Sequence, residues 1–91
     1  MSVDGCWHLY LVRCDDGSLY TGISTDVTRR LDEHRNNRGA KRLKGRKSLQ
    51  LVYSREIGDR AAAQRVEHRV KRLSRPQKEA LIAGCLPLPL E

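Results

Sequence analysis

Two short apolar segments separated by a tight-turn sequence constrain the fold of this chain most. The segments at 7–13 and 19–23 are rich in aromatic and aliphatic residues, and each contains one tyrosine, Tyr10 or Tyr20. Residues 15–18 lie between them and carry the Asp-Gly pair that is typical of tight hairpins. The pattern predicts a β-hairpin that brings the two tyrosines close together. Sequence alone leaves the register open, and a shift by one residue would turn one tyrosine to the other face.

A helix is expected directly after the hairpin, over residues 27–36. Ser24, Thr25 and Asp26 offer side-chain oxygens that can cap a helix start. Within this helix, Arg30 and His34 are four residues apart, so their side chains share one face and point toward a common target. Arg29 is rotated by about 100° from Arg30 and is expected to face solvent.

The rest of the chain predicts one more strand and two more helices. A strand over 49–57 precedes a helix over 60–73, in which apolar residues recur at helical spacing. Ser74 and Gln77 form a capping-box pattern for a short last helix that ends near Gly84. The order β-β-α-β-α-α predicts an α+β domain in which helices pack on a small sheet.

The length and composition predict one small domain. Its core is expected over 7–83 of the 91 residues, with a loose tail over 84–91 that contains two prolines. No apolar run approaches the length of a membrane span and no signal-peptide pattern opens the sequence, so a cytoplasmic protein without a membrane partner is expected. The three cysteines form no Cys-x-x-Cys pair, so neither a disulfide framework nor a zinc site is expected.

The charge of the chain favours a polyanionic partner. The formal net charge is +7 and the isoelectric point is near 9.8. Residues 35–47 contain seven basic residues and no acidic one: Arg35, Arg38, Lys41, Arg42, Lys44, Arg46 and Lys47. Most such runs are solvated loops. Because this basic segment directly follows the helix that carries Arg30 and His34, contact with nucleic-acid phosphates is the favoured interpretation.

The order of the polar residues resembles that of the GIY-YIG endonuclease superfamily. His8-Leu9-Tyr10 keeps only the tyrosine of the first motif, and Tyr20-Thr21-Gly22 keeps the two ends of the second. The spacing of the tyrosines fits, and the resemblance extends from about Trp7 to Ile82. It is greatest to the small single-domain bacterial members and implies an antiparallel three-stranded sheet. The matching residues that the resemblance carries over as a catalytic set are Tyr10, Tyr20, Arg30, His34 and Glu67.

The resemblance implies a role for each of these side chains. The two tyrosines position or deprotonate the attacking water, with Tyr10 favoured as the base and the choice left open. Arg30 stabilises the charge that develops on the phosphate. His34 activates water, relays a proton from a tyrosine, or donates to the phosphate. All of them are expected to converge on one concave face.

Glu67 is the expected ligand of Mg²⁺ or Mn²⁺. One carboxylate together with substrate phosphate oxygens and water makes an ordinary magnesium site. The alternative is a surface glutamate that pairs with Lys71 one helical turn away. Gly22 is expected to let its strand approach substrate or a helix closely, or to mark a bend. Ile23 stands where the excision-repair members carry a lysine, which removes one positive charge from the site.

Three functions are therefore compared. The favoured one is a metal-dependent endonuclease that cuts DNA, directed by substrate structure rather than by sequence. The alternatives are a nucleic-acid binding module that keeps the fold and turns over poorly, and an RNA-associated protein. Specificity is expected from substrate shape, from the basic segment or from a partner protein, and the oligomeric state is left open.

Overall fold

The computed structural model describes residues 6–36 and 48–90. Within them the chain forms strands and helices in the predicted order β-β-α-β-α-α, an α+β fold. The predicted bounds agree with the observed ones to within two residues. The elements are β1 (Trp7–Cys14), β2 (Leu19–Ser24), α1 (Val27–Arg35), β3 (Leu49–Gly58), α2 (Arg60–Lys71) and α3 (Arg75–Ala83).

The three strands form one antiparallel sheet with β1 in the centre, in the order β2-β1-β3. A tight turn joins β1 to β2. There the Gly17 amide donates to the Cys14 carbonyl at 2.9 Å, and Gly17 adopts a φ of +86°, a conformation that strongly favours glycine. Asp16 accepts hydrogen bonds from the Ser18 amide and hydroxyl, which fixes the far side of the turn.

The register of the hairpin places both tyrosines on the same face of the sheet. Tyr10 is opposite Gly22, and Val12 is opposite Tyr20. Side chains at every second position of a strand share a face, so Tyr10 and Tyr20 are diagonal neighbours across the β1–β2 pair. This pairing resolves the question that the sequence left open.

The central strand is buried on both faces because helices cover each side of the sheet. Tyr10 and Val12 pack with Leu31 of α1 on one face. On the other face, Leu9 and Leu11 pack with α2 and α3 through an apolar cluster that includes Val66, Val70 and Leu81. Because both faces of β1 are buried under helices, its sequence is apolar at nearly every position instead of alternating between apolar and polar residues.

Side-chain caps set the starts of the helices. Asp26 accepts from the Arg29 amide and Asp59 from the Ala62 amide. Ser74 and Gln77 form the predicted capping box at the start of α3. The second helix ends at Lys71, two residues before the predicted end, since the chain must leave the helix before it reaches this next cap.

The segment after α3 differs from the prediction of a loose tail. Leu88 is only 8% exposed and joins the apolar cluster of Leu9 and Leu11. Leu86 packs partly against the same cluster. The prolines stop a helix there, but they leave the leucines free to cover the core. None of the helices in the described part of the chain has the length and apolar character needed to cross a bilayer.

Candidate active site

A hydrogen bond inside the protein joins the first tyrosine to the helix histidine. The Tyr10 hydroxyl lies 3.0 Å from His34 Nε2, and each residue is 1% exposed. His34 therefore does not behave as an exposed helix histidine. A buried polar pair of this kind stays in place because breaking the hydrogen bond would leave each group buried without a partner, which costs free energy.

Tyr20 completes an aromatic triangle around this hydrogen bond. Its ring centroid lies 6.4 Å from that of Tyr10 and 5.5 Å from that of His34, with an edge-to-face arrangement in the second case. Tyr20 is only partly buried and borders a cavity of about 310 Å³, which Lys71 and Lys78 also line. The triangle thus extends from the core, at Tyr10, to the surface, at Tyr20.

Gly22 makes room for the ring of Tyr10. A Cβ atom at this position would lie 2.5 Å from the Tyr10 hydroxyl oxygen and 2.6 Å from the adjacent ring carbon. Carbon atoms do not approach at such distances, so a side chain at position 22 would displace the tyrosine. The close approach predicted for this glycine is real, but its partner is the cross-strand tyrosine rather than substrate or a helix.

Arg30 lies beside the tyrosine and is held by a neighbouring carboxylate. Its Nη1 donates to Glu33 Oε1 at 2.9 Å, while Arg29 Nη1 donates to the other oxygen of Glu33 at 2.8 Å. The positive charge of Arg30 lies near enough to the Tyr10 hydroxyl to oppose the rise in its pKa. Sequence reasoning missed Glu33, although its spacing of three and four residues from the arginines is typical of helical ion pairs.

Burial shifts the proton affinities of the pair in opposite directions. It raises the pKa of Tyr10 to about 12, with the negative charge that Tyr20 carries when ionised adding to the effect and Arg30 opposing it. Burial lowers the pKa of His34, and the positive charge of Arg30 lowers it further. Near neutral pH both groups are therefore uncharged. A phenol that donates to Nε2 places the imidazole proton on Nδ1.

Glu67 approaches from the other layer of the fold. Its helix, α2, packs on the face of Leu9 and Leu11, opposite the face of Tyr10. Its carboxylate pairs with Lys71 at 3.3 Å, as the alternative interpretation predicts, and its charge still contributes to raising the pKa of Tyr10. The structure thus brings four of the five predicted residues together on one face. The expected convergence does not extend to α2, which packs on the other face, and from there only the charge of Glu67 reaches Tyr10.

The donor set near Glu67 fits a metal site with one protein ligand. Within residues 6–36 and 48–90, no group of three or more histidine, cysteine or carboxylate side chains is placed to hold a metal ion. Mg²⁺ often takes one carboxylate and completes its shell with water and phosphate oxygens. The side chain of Glu67 is 22% exposed and offers such an oxygen, in competition with the Lys71 ammonium.

The predicted phosphate-binding residues lie mostly outside the described residues. Arg38, Lys41, Arg42, Lys44, Arg46 and Lys47 fall between positions 36 and 48. Arg35 is described: it is exposed, and its Nη2 donates to the Leu49 carbonyl at 2.9 Å. The contribution of this basic segment to binding stays a prediction.

Comparison with known proteins places the chain in a family. A profile of the GIY-YIG catalytic domain matches residues 6–80. A UPF0213 protein of Klebsiella pneumoniae is 52% identical over 79 residues, which cover 87% of this chain and 74% of that protein. A UPF0213 protein of Yersinia enterocolitica is 54% identical over 79 residues, which cover 87% of this chain and 81% of that protein.

Two solution NMR structures show the same fold. That of a UPF0213 protein from Bacillus halodurans has a TM-score of 0.56 at 41% identity, covering 86% of this chain and 83% of that one. That of a protein from E. faecalis has a TM-score of 0.63 at 34% identity, covering 92% and 90%. Since the profile and these relatives span most of the sequence, the protein belongs to the GIY-YIG family, whose catalytic domain implies nuclease-type activity on nucleic acid.

Proposed function

We propose that the protein is a divalent-metal-dependent endonuclease that hydrolyses phosphodiester bonds in DNA, directed by the structure of the substrate. The observation that carries the proposal is the buried hydrogen bond between Tyr10 and His34 beside the guanidinium of Arg30. Two strand tyrosines that served only the core would need neither a buried imidazole nor an arginine at the phenol. Perturbed ionisable groups of this kind are typical of catalytic sites.

The uncharged pair is suited to moving a proton. An imidazole with a lowered pKa is free to accept a proton near neutral pH, and Nε2 lies at hydrogen-bond distance from the phenol. We assign to Tyr10 the orientation of the attacking water. As the water oxygen bonds to phosphorus, Tyr10 takes a proton from it and passes its own hydroxyl proton to Nε2 of His34; the P–O bond to the leaving oxygen breaks, and that oxygen is protonated by solvent. The high pKa of Tyr10 argues against a free phenolate in the resting protein, so the proton must move during the reaction.

Arg30 is assigned to the scissile phosphate. Its guanidinium is positioned by Glu33 and stays charged at all working pH values, so it stabilises negative charge without proton transfer. Glu67 is assigned as the ligand of Mg²⁺ or Mn²⁺, which when bound supplies Lewis-acid stabilisation of the phosphate oxygens. The proposed setting is the cytoplasm, with DNA favoured over RNA and with specificity drawn from substrate shape, the basic segment or a partner protein.

Two observations favour a second candidate, a binding module of the same fold with little turnover. Lys71 already neutralises the carboxylate of Glu67 at 3.3 Å and competes with a metal ion. A second observation is that Ile23 supplies no positive charge after Gly22, and its side chain packs on the face of Leu9 rather than on that of the tyrosines. Both proposals predict salt-sensitive binding to nucleic acid, so only a cleavage assay separates them.

The test is cleavage of DNA and RNA substrates in Mg²⁺ or Mn²⁺ by wild type and Glu67→Gln. The substrates are duplex, nicked, branched and single-stranded forms. We expect wild type to cut at least one DNA form, and Glu67→Gln to bind it and leave it uncut because an amide oxygen is a weaker ligand for a hard cation. Glu56→Gln, which alters an exposed carboxylate on β3, is the matched control and should cut like wild type.

Two results would overturn this proposal. If wild type binds the substrates and cuts none of them, the binding-module candidate replaces the enzyme. Equal cutting by wild type and Glu67→Gln would show that the carboxylate takes no part in the reaction.

A further inference from the structure

We propose that a cavity beside Arg30 is a nucleobase subsite, in which the indole of Trp7 stacks on an unpaired base next to the phosphate that Arg30 contacts. The cavity holds about 430 Å³ and is lined by side chains from the first strand, the end of the second strand and the start of the first helix. The inference rests on the proposed function, since Arg30 marks the phosphate. It adds a substrate class to that function: nucleic acid with an unpaired nucleotide at the cut.

Trp7 is the aromatic group of this cavity. It opens β1 and is only partly buried, so part of its ring is accessible from the cavity. The guanidinium carbon of Arg60 lies 5.4 Å from its ring centroid, a cation–π contact that fixes the indole in place. A held aromatic ring stacks on a base at a lower cost in conformational entropy than a mobile one.

The remaining lining suits the other parts of a nucleotide. Arg29 and Arg30 supply positive charge for its phosphate, and Glu33, which also lines the cavity, holds both guanidiniums in place by accepting one hydrogen bond from each. Thr25 adds an exposed hydroxyl that can donate to or accept from the edge of a base, and Ile23 adds an apolar wall. The volume lies within the range of ligand clefts, about 300–1,000 Å³, and leaves space for one base with its sugar.

The position of Arg30, next to both the cavity and Tyr10, determines what kind of substrate enters the cavity. Arg30 borders this cavity, and its charge also acts on the hydroxyl of Tyr10, so one guanidinium lies near both the cavity and the reactive tyrosine. A base inside a duplex is stacked on its neighbours and cannot reach an indole beside the phosphate backbone. The subsite therefore selects single-stranded segments, flaps, and nucleotides that leave the helix at a nick or branch.

The fluorescence of Trp7 tests the proposal directly because it is the single tryptophan of the chain. The protein is titrated, without divalent metal so that nothing is cut, with a short single-stranded DNA and with an abasic DNA of the same number of phosphates. Stacking predicts quenching by the first DNA and a dissociation constant about 5- to 150-fold lower than for the abasic one. This comparison of two DNAs uses only wild-type protein, so it does not depend on whether a variant folds.

Variants show which residue causes the difference in affinity between normal and abasic DNA. Trp7→Leu should bind both DNAs with the weaker affinity of the abasic one, and Trp7→Tyr should recover part of the difference. Tyr53→Leu is the matched control, since Tyr53 lies on β3 and packs partly against the cluster of Leu9 and Leu11. It should keep the contrast of wild type.

Each outcome decides the matter. Equal affinity and equal quenching for normal and abasic DNA would overturn the nucleobase subsite while leaving nucleic-acid binding and the proposed function standing. Failure of wild type to bind either DNA at low salt would overturn the proposed function, and the subsite with it.

Discussion

At the scale of single residues, the candidate site depends on one close contact that a glycine permits. The ring of Tyr10 occupies the space where a side chain at position 22 would stand. The hydroxyl at the end of that ring is the group that shares a hydrogen bond with His34 and whose pKa the charge of Arg30 lowers. The glycine of the second motif thus acts through the tyrosine of the first, and the two motifs form one structural unit.

This contact predicts the effect of Gly22→Ala. The added methyl group overpacks the site and should cost about 1–3 kcal/mol in the free energy of unfolding, measured with urea. It should also displace the Tyr10 hydroxyl from His34. In a Tyr10→Leu background the same change should cost much less, because the shorter side chain leaves the space open. Equal costs in the two backgrounds would mean that Gly22 is required for another reason.

At the scale of elements, one carboxylate ties the last helix to the hairpin. Glu79 of α3 receives two hydrogen bonds from Arg13 of β1, at 2.7 and 2.8 Å, and one from Arg75 at 3.0 Å. Arg75 also donates to the Gly17 carbonyl in the turn. The hairpin that carries both tyrosines is therefore attached at its far end to a helix that is distant in sequence.

The hydrogen bonds from Arg13, followed by that from Arg75, lower the pKa of Glu79 from 4.5 to about 2. Below pH 4.5 the unfolded chain binds this proton more readily than the folded one, so the stability that the carboxylate confers is present above pH 4.5 and is lost as the pH falls toward 2. Glu79→Gln should lower the melting temperature at neutral pH and flatten its decline over this range.

A variant series separates this network from a general effect of charge. Arg13→Gln should resemble Glu79→Gln, whereas Arg65→Gln, which removes an exposed arginine of α2, should follow wild type. If Arg13→Gln and Arg65→Gln behave alike, the ties between α3 and the hairpin contribute nothing specific to stability.

The elements were predictable from local signals, and the site was predictable only in part. Turn residues, helix caps and apolar spacing are short-range features, which is why the Asp-Gly turn and the capping box at Ser74 stand where the sequence predicts them. The role of Glu33 was not predicted because Glu–Arg pairs are common along helices and most of them lie outside functional sites. The contact between Gly22 and Tyr10 depends on strand register, which only the folded sheet determines.

At the scale of the whole molecule, the net charge of +7 favours binding to a polyanion. Each phosphate contact adds about 0.9 to the slope of log K against log salt on duplex DNA. Replacing Lys41, Arg42 and Lys44 with Gln should therefore flatten that slope, measured by fluorescence anisotropy over a range of salt concentrations.

A control variant removes the same charge elsewhere. Arg55, Arg65 and Arg72 are exposed on β3, within α2 and at its end. Their replacement with Gln changes the net charge equally and should alter the slope much less. Similar slopes for the two triple variants would show that the basic segment has no special part in binding and that net charge alone attracts the nucleic acid.

The most direct test of the central claim is the single-turnover rate of DNA cleavage by Tyr10→Phe. This change removes only the oxygen that shares a hydrogen bond with His34, and it leaves the ring over Gly22. We predict unchanged DNA affinity and a rate lower than that of wild type by about 10²- to 10⁴-fold, the usual contribution of a positioned acid–base group. Tyr53→Phe, altered outside the site, should cut at the wild-type rate. A Tyr10→Phe protein that cuts as fast as wild type would contradict the account.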